Sequence, residues 1–155
     1  MVFARPDKYF LAAGYAEGST LLNAFDHALL KAGIGNTNLL RMSSILPPSA
    51  VRISPVALPF GVLVPTAYAD ETSDVVGTEL AAAVACGVPD DPTLPGVIME
   101  HHLHGSEKLC REQVMSKVEE AFATRGYRLA SVDVVSASGV VQRVGSAVAA
   151  VVLWA

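Results

Sequence analysis

The stretch VGSAVAAVVLWA, Val144–Ala155, ends the chain with an unbroken run of apolar and small residues. The run is too short to cross a bilayer as a helix, which takes about 20 residues. We therefore expect a strand that is buried on both of its faces. Such a strand needs other structure above and below it, so this stretch predicts stacked layers.

Two helices are predicted in the rest of the chain. Ser19 or Thr20 can cap the first helix, along which Leu22, Phe25 and Leu29 recur at helical spacing. The second helix is predicted to begin at Ser106 and carries a single apolar stripe between charged positions, and a glycine can end it. That stripe and its bounds are Ser106, Cys110, Val114, Val118, Ala121, Phe122 and Gly126.

The remaining apolar segments predict strands. They are residues 8–14, 38–44, 51–54, 61–70, 96–104 and 127–135, while the Ala-rich segment 78–88 satisfies either period. Helices with one apolar stripe each, together with many strands, suit two sheets packed in the middle with a helix on each outer side. We find no linker or repeat, so the elements form one domain of 155 residues.

Composition excludes several classes of protein. Hydrophobic residues make up 52% of the chain and charged residues 17%, with a formal net charge of −4. So apolar a composition favours burial against partner subunits. The absence of a Lys/Arg cluster predicts no nucleic-acid partner. Two cysteines in apolar segments, no secretory signal in residues 1–18 and no membrane span together predict a cytoplasmic protein without disulfides.

The motif EHHLH places Glu100, His102 and His104 on one face of a predicted strand. Carboxylate and imidazole groups suit zinc or iron, so a metal centre is one hypothesis. Exposed histidines at a strand end are the favoured alternative, because no second set of comparable ligands is present. We predict no metal, and the pattern assigns no role to His101, His102 or His104.

Two carboxylates lie on apolar segments. Asp26 shares the side of the first helix that carries Leu22 and Leu29, and Glu100 closes the apolar run GVIM. Each could simply reach water at the edge of its element. If Asp26 is buried instead, it requires a cation, and a positively charged ligand is one candidate. Burial favours the protonated form of a carboxyl group, so a buried Glu100 could serve as a proton donor.

The segment RMSSILPP, Arg41–Pro48, places two serines before a double proline. Serines commonly cap such turns through their hydroxyl groups. Alternatively, the Ser44 hydroxyl can attack the carbonyl of Ser43 and convert the peptide bond into an ester. Elimination then leaves dehydroalanine, which hydrolyses to a pyruvoyl group and makes Ser43 a new C-terminus. That reaction requires a strained and fixed bond, which a short strand entering a rigid turn can supply.

These residues resemble the pyruvoyl-dependent arginine decarboxylase family. The blocks that carry the resemblance are residues 22–48, 61–70, 96–102 and 145–154, in the family's order and spacing. The most specific is the Asn-x-x-x-x-Ser-Ser-Ile-x-Pro-Pro pattern of Asn38–Pro48. Arg41-Met42, Asn36-Thr37 and His101-His102 are the departures that we note at these blocks.

The resemblance implies an α+β fold, a four-layer αββα sandwich that cleaves itself between Ser43 and Ser44. The products are a β chain, residues 1–43, and an α chain, residues 44–155, with the pyruvoyl group derived from Ser44. It also implies a homotrimer of cleaved αβ units, with active sites between subunits and pairing of trimers into hexamers left open. The implied reaction is decarboxylation of L-arginine to agmatine and CO₂, and the sequence does not assign the agmatine to polyamine synthesis or to acid resistance.

Residue roles follow from the same resemblance. Asn38 positions the cleavage site and the pyruvoyl group, Glu100 donates a proton, and Asp26 binds the guanidinium. The side chains of Leu22 and Leu29 line the substrate channel.

Elementary chemistry agrees with a cofactor made from the chain. Decarboxylation leaves a carbanion that standard side chains cannot delocalise, so an electron sink is required, and a Schiff base with a pyruvoyl ketone supplies one. Two alternatives stay open: the same chemistry on another amino acid, and an uncleaved family member that acts as an assembly or regulatory subunit.

Overall fold

The chain forms an α+β sandwich of two helices and two sheets in the computed structural model, which describes residues 4–155. The helices are α1 (Leu21–Lys31) and α2 (Glu107–Arg125). The strands are β1 (Lys8–Glu17), β2 (Asn38–Arg41), β3 (Ile45–Leu46), β4 (Val51–Arg52), β5 (Leu63–Ser73), β6 (Glu79–Pro89), β7 (Gly96–His104), β8 (Leu129–Val140) and β9 (Gly145–Trp154). Residues 1–3 lie outside the described residues. They belong to the predicted β chain and to the segment, residues 1–18, in which no secretory signal is predicted.

The strands form one sheet of five and one of four. The five-stranded sheet has the order β2-β5-β9-β1-β4, and the four-stranded sheet has the order β3-β7-β6-β8. Most neighbouring pairs are antiparallel, whereas β2 runs parallel to β5 and β4 runs parallel to β1. The chain therefore leaves the five-stranded sheet after β2, forms β3 in the other sheet, and returns at β4.

Alternating side chains explain the four layers. Along β9, Ala149 and Val151 face the apolar core between the sheets, whereas Ala150 and Val152 face the α1 side. Along β6, Val84 faces the same inter-sheet core, while its neighbours pack against α2. The terminal stretch is buried on both faces, as predicted, and the ambiguous Ala-rich segment is a strand.

Helix α2 confirms the predicted stripe. Cys110, Val114, Val118, Ala121 and Phe122 are its buried residues. The Ser106 side chain accepts a hydrogen bond from the N–H of Leu109, and Gly126 ends the helix with a left-handed φ of 69°. Glycine suits this position because other residues adopt a positive φ only at an energetic cost. Within residues 4–155, no helix has the length and apolar composition needed to cross a membrane.

Helix α1 forms as predicted, but the apolar stripe predicted for it is correct only in part. The buried residues of this helix are Ala24 and Ala28, whereas Leu22 is 74% exposed and Leu29 is half-buried. The cause is the close approach of the helix to β1. A methyl group placed on Gly14 would lie 2.7 Å from the carbonyl oxygen of Ala28. Only small side chains fit against the sheet at that distance, so the larger leucines lie towards its edges and outer side.

Candidate active site

A short link between β2 and β3 carries the chain from one sheet to the other. At its start, the N–H of Met42 donates to the carbonyl oxygen of Thr66 in the five-stranded sheet at 3.1 Å. At its end, the carbonyl oxygen of Ser44 accepts from the N–H of Ile98 in the four-stranded sheet at 2.7 Å. The bond between Ser43 and Ser44 therefore lies in a link whose two ends are held by different sheets. The strand predicted over 38–44 stops at Arg41 for this reason.

The turn after β3 is rigid. Pro47 and Pro48 restrict the backbone on both sides of their own peptide bond. Ser49 then adopts a left-handed φ of 62°, and its hydroxyl donates to the carbonyl oxygen of Pro92 at 3.0 Å. The chain is consequently restrained on both sides of the two serines.

The serine hydroxyls are not engaged in capping this turn. Ser43 is exposed and Ser44 is half-buried. Across residues 4–155, neither hydroxyl takes part in a side-chain hydrogen bond, whereas the hydroxyl of Ser49 does. The interpretation of Ser43 and Ser44 as turn caps is therefore not supported.

Glu100 lies on β7 two residues after Ile98, so both side chains point to the same face of the strand. Its carboxylate is only partly buried, with 36% of the side chain exposed. The two oxygens differ in their surroundings. Oε1 accepts a hydrogen bond from Arg41, whereas Oε2 is shielded from solvent and has no hydrogen-bond partner within the described part of the chain.

Arg41 is the cation beside this carboxylate. Its Nη2 group donates to Oε1 of Glu100 at 3.2 Å and to the carbonyl oxygen of Tyr68 at 2.8 Å. The guanidinium also lies over the Tyr68 ring, 4.4 Å from the centroid. Burial lowers the pKa of Arg41, but the hydrogen bond and charge of Glu100 outweigh it, so the pKa lies above its ordinary value. The group is therefore permanently charged.

The backbone of Glu100 is held by helix α2. Lys117 donates from Nζ to the carbonyl oxygen of Glu100 at 2.9 Å. Burial lowers the pKa of the neighbouring His101, and the charge of Lys117 lowers it further. His101 is consequently neutral near pH 7 and adds no charge beside the carboxylate.

The three residues predicted to bind the substrate differ in their surroundings. Leu22 is exposed, whereas Leu29 packs against the same apolar core as Tyr68. Asp26 is exposed and forms no side-chain hydrogen bond or ion pair with any residue between 4 and 155. The hypothesis that Asp26 is buried and requires a cation is therefore not supported in a single chain. Helix α1 does contact the cluster indirectly, because the rings of Phe25 and Tyr68 have centroids 6.3 Å apart.

Asn38 lies at the opposite end of β2 from the serines. Its side chain donates from Nδ2 to the carbonyl oxygen of Gly61 at 2.9 Å, and its N–H donates to Val62 at 2.8 Å. A strand rises about 3.3 Å per residue, which separates Asn38 from Arg41 by about 10 Å. No hydrogen bond joins Asn38 to either serine in the described residues. Its contacts shape the loop before β5.

The EHHLH face contacts the five-stranded sheet but does not converge on one point. Glu100 pairs with Arg41, whereas Glu71 accepts from Nδ1 of His102 at 2.6 Å and from Nε2 of His104 at 3.0 Å. No group of three or more His, Cys, Asp or Glu side chains in residues 4–155 is placed to hold a metal ion. The histidines instead join β7 to β5 through one carboxylate.

Comparisons with known proteins identify the family. The model of the family described as pyruvoyl-dependent arginine decarboxylase matches residues 8–155. The chain belongs to this family. A relative of that name from Methanocaldococcus jannaschii is 43% identical over 152 residues, which cover 98% of this chain and 92% of the relative. Another, from Pyrococcus abyssi, is 40% identical over 157 residues, which cover 99% of both chains.

The family's name implies a pyruvoyl group. The residues around Ser44 fit one, since the hydroxyl is unengaged, the carbonyl is fixed by Ile98, and Glu100 follows on the same strand. Sequence reasoning missed Arg41 and Tyr68, although a lone arginine in the apolar segment NLLRM was a signal that could have drawn attention.

Proposed function

We propose that the chain cleaves itself between Ser43 and Ser44 and then decarboxylates L-arginine to agmatine and CO₂. The observation that carries the proposal is the place of this bond, in a link held at each end by a different sheet and next to the strand that bears Glu100. Membership of a family named for this reaction supports the substrate and the cofactor.

Processing begins with the Ser44 hydroxyl. Its oxygen attacks the carbonyl carbon of Ser43, and the acyl group moves from nitrogen to oxygen to give an ester. Elimination releases the carboxylate of Ser43 and leaves dehydroalanine, which takes up water and loses ammonia. The hydrogen bond from Ile98 to the Ser44 carbonyl supports this step because it limits rotation on one side of the reacting bond.

In the mature enzyme, the pyruvoyl ketone supplies the electron sink, because a Schiff base with the substrate's amine accepts the electrons that remain when CO₂ departs. Glu100 then supplies the proton for the α-carbon. Its Oε2 is suited to hold that proton because it is shielded from water and has no partner among the described residues. Ser44, the source of the pyruvoyl group, is hydrogen-bonded to Ile98 on the same strand that carries Glu100.

Asp26 is proposed to bind the guanidinium of arginine by two parallel hydrogen bonds, with Leu22 and Leu29 lining the channel. Because Asp26 and Leu22 are exposed in one chain, this part of the site is proposed to be completed in a homotrimer of cleaved αβ units. Other large apolar side chains, including Phe60 and Val76, are also exposed and favour assembly. Asn38 is proposed to position the cleavage site from the loop that it organises.

Intact-mass measurement tests the proposal directly. Freshly folded protein should give two fragments: a smaller one that ends at Ser43 and a larger one that begins at the converted Ser44. Borohydride should reduce the pyruvoyl group of the larger fragment. A single species of 16.2 kDa would instead favour an uncleaved assembly or regulatory subunit. Agmatine release in a panel of amino acids then tests the substrate. A better substrate than arginine would favour pyruvoyl chemistry on another amino acid.

A further inference from the structure

Three contacts hold the guanidinium of Arg41 in one plane and one position. It stacks on the Tyr68 ring, donates to the Tyr68 carbonyl oxygen and donates to Oε1 of Glu100. Both hydrogen bonds come from Nη2, so the property of arginine that a lysine ammonium lacks here is the planar group that stacks on the ring. The chain thus uses a specific property of arginine here.

The consequence for Glu100 is that its two oxygens are no longer equivalent. An oxygen that accepts a hydrogen bond from a permanent cation is the poorer place for a proton. The proton of the acid form is therefore directed to Oε2, the buried oxygen without a partner in the described residues. Arg41 also limits rotation of the carboxylate, so Oε2 keeps one direction.

We infer that Arg41 is a positioning residue that orients Glu100 and determines which of its oxygens delivers the proton. This inference rests on the proposed function. Arg41 lies two residues before Ser43, where cleavage would end the β chain. Tyr68 and Glu100 would both lie in the α chain. The contact consequently links the two chains beside the new C-terminus after cleavage.

The first test needs no activity. In a Ser44→Ala chain labelled with ¹⁵N-arginine, NMR measures exchange of the Nη protons of Arg41 with water. Replacing Glu100 with Gln should speed this exchange about 10-fold, because a charge-assisted hydrogen bond is weakened. Arg52 is a matched control, since it is also 53% exposed and donates to Oδ1 of Asp133 at 2.6 Å. Its exchange should respond to Asp133→Asn and not to Glu100→Gln.

The second test is a double-mutant cycle on kcat. Arg41→Met should lower kcat about 10- to 100-fold with KM changed less than about 3-fold, the size expected for a misplaced catalytic group. In a Glu100→Gln background, Arg41→Met should have little further effect, because the group that it positions is absent. Arg41→Lys should have a kcat between those of Arg41→Met and the wild type. The control variant Arg52→Met should have an unchanged kcat.

Several results would overturn the inference. One is an exchange rate of the Arg41 protons that does not change in Glu100→Gln. Another is an Arg41→Met enzyme with a normal kcat or with a change in KM alone. A third is a double mutant whose loss of kcat equals the product of the losses in the two single mutants. If Arg41→Met is not cleaved, a wild-type kcat in Arg41→Lys would also overturn it. Failure of the proposed function is distinguishable, because an uncleaved or inactive wild-type chain still gives the NMR result.

Discussion

The N–H of Ile98 donates to the carbonyl oxygen of Ser44 at 2.7 Å, so the second serine is fixed to the strand that presents Glu100 two residues later. The first serine has no such tie to that sheet, because the last backbone contact before it runs from Met42 to Thr66. The link thus separates an anchored residue from an exposed one. This arrangement allows the roles of the two hydroxyls to be tested separately.

Ser44→Ala should abolish cleavage, because the attacking hydroxyl is absent. Intact-mass spectrometry should show one uncleaved chain even after long incubation. Ser43→Ala is the matched control and should still be cleaved, since residue 43 contributes its carbonyl and not its hydroxyl. Cleavage at this bond in Ser44→Ala would contradict the proposed attack.

Glu100→Gln should lower kcat about 10²- to 10⁴-fold and change KM little, because a general acid acts mainly in the transition state. Steady-state agmatine formation measures both constants once cleavage has been verified. Glu112→Gln, an exposed change on α2, is the control and should behave as wild type. An effect confined to KM would assign Glu100 to substrate binding instead.

Asp26→Asn should raise KM for arginine about 10- to 100-fold, since a charge-assisted hydrogen bond contributes about 1.5–3 kcal/mol. An analogue of arginine with a neutral urea group in place of the guanidinium should bind weakly to the wild type. The Asp26→Asn variant should discriminate less between this analogue and arginine. Asp90→Asn is a control at an exposed carboxylate whose pairing with Arg128 is loose, at 3.7 Å. Equal loss of all amino acid substrates in Asp26→Asn would argue against guanidinium recognition.

Local patterns predicted the strands and helices well where burial comes from the chain itself. The terminal run and the stripe of α2 show this, because each packs against elements of the same chain. Helix α1 could not be predicted in the same way. Its spacing of Leu22 and Leu29 is helical, but the face that packs on the sheet was decided by the close approach at Gly14.

The site was predictable in part for a related reason. Ser43, Ser44 and Glu100 stand out in the sequence because each interrupts or ends an apolar segment. The pairing of Arg41 with Glu100 depends on the chain crossing between two sheets, and residues 59 positions apart carry no local sign of that contact. Asn38 differs from this pair, because its place in the Asn-x-x-x-x-Ser-Ser motif is evident from the sequence. Its hydrogen bonds within one chain go to Gly61 and Val62 and not to the serines.

Gly87→Ala should destabilise the packing of α2 on β6. A methyl group at this position would lie 2.6 Å from Cγ1 of Val118 and 2.7 Å from the Phe122 ring, too close for real contacts. Overpacking of this kind costs about 1–3 kcal/mol in the free energy of unfolding. Denaturant titration measures it, and Gly77→Ala gives a comparison at a loop position where space is open and only the positive φ opposes the change. A Gly87→Ala protein as stable as wild type would mean that α2 shifts without cost.

Glu107 should make the fold sensitive to acid. Hydrogen bonds from Ser136 and Ser138 lower the pKa of this carboxyl below its ordinary value of 4.5, so the folded state favours the ionised form. Its contribution to stability is therefore complete above the ordinary pKa and is lost as pH falls through the lowered folded value. Glu107→Gln should remove this part of the pH dependence while leaving other carboxyl groups to titrate. Unfolding free energies measured from neutral pH downward should converge for wild type and variant at low pH; a constant difference across the whole range would show that Glu107 contributes by packing and not by its charge.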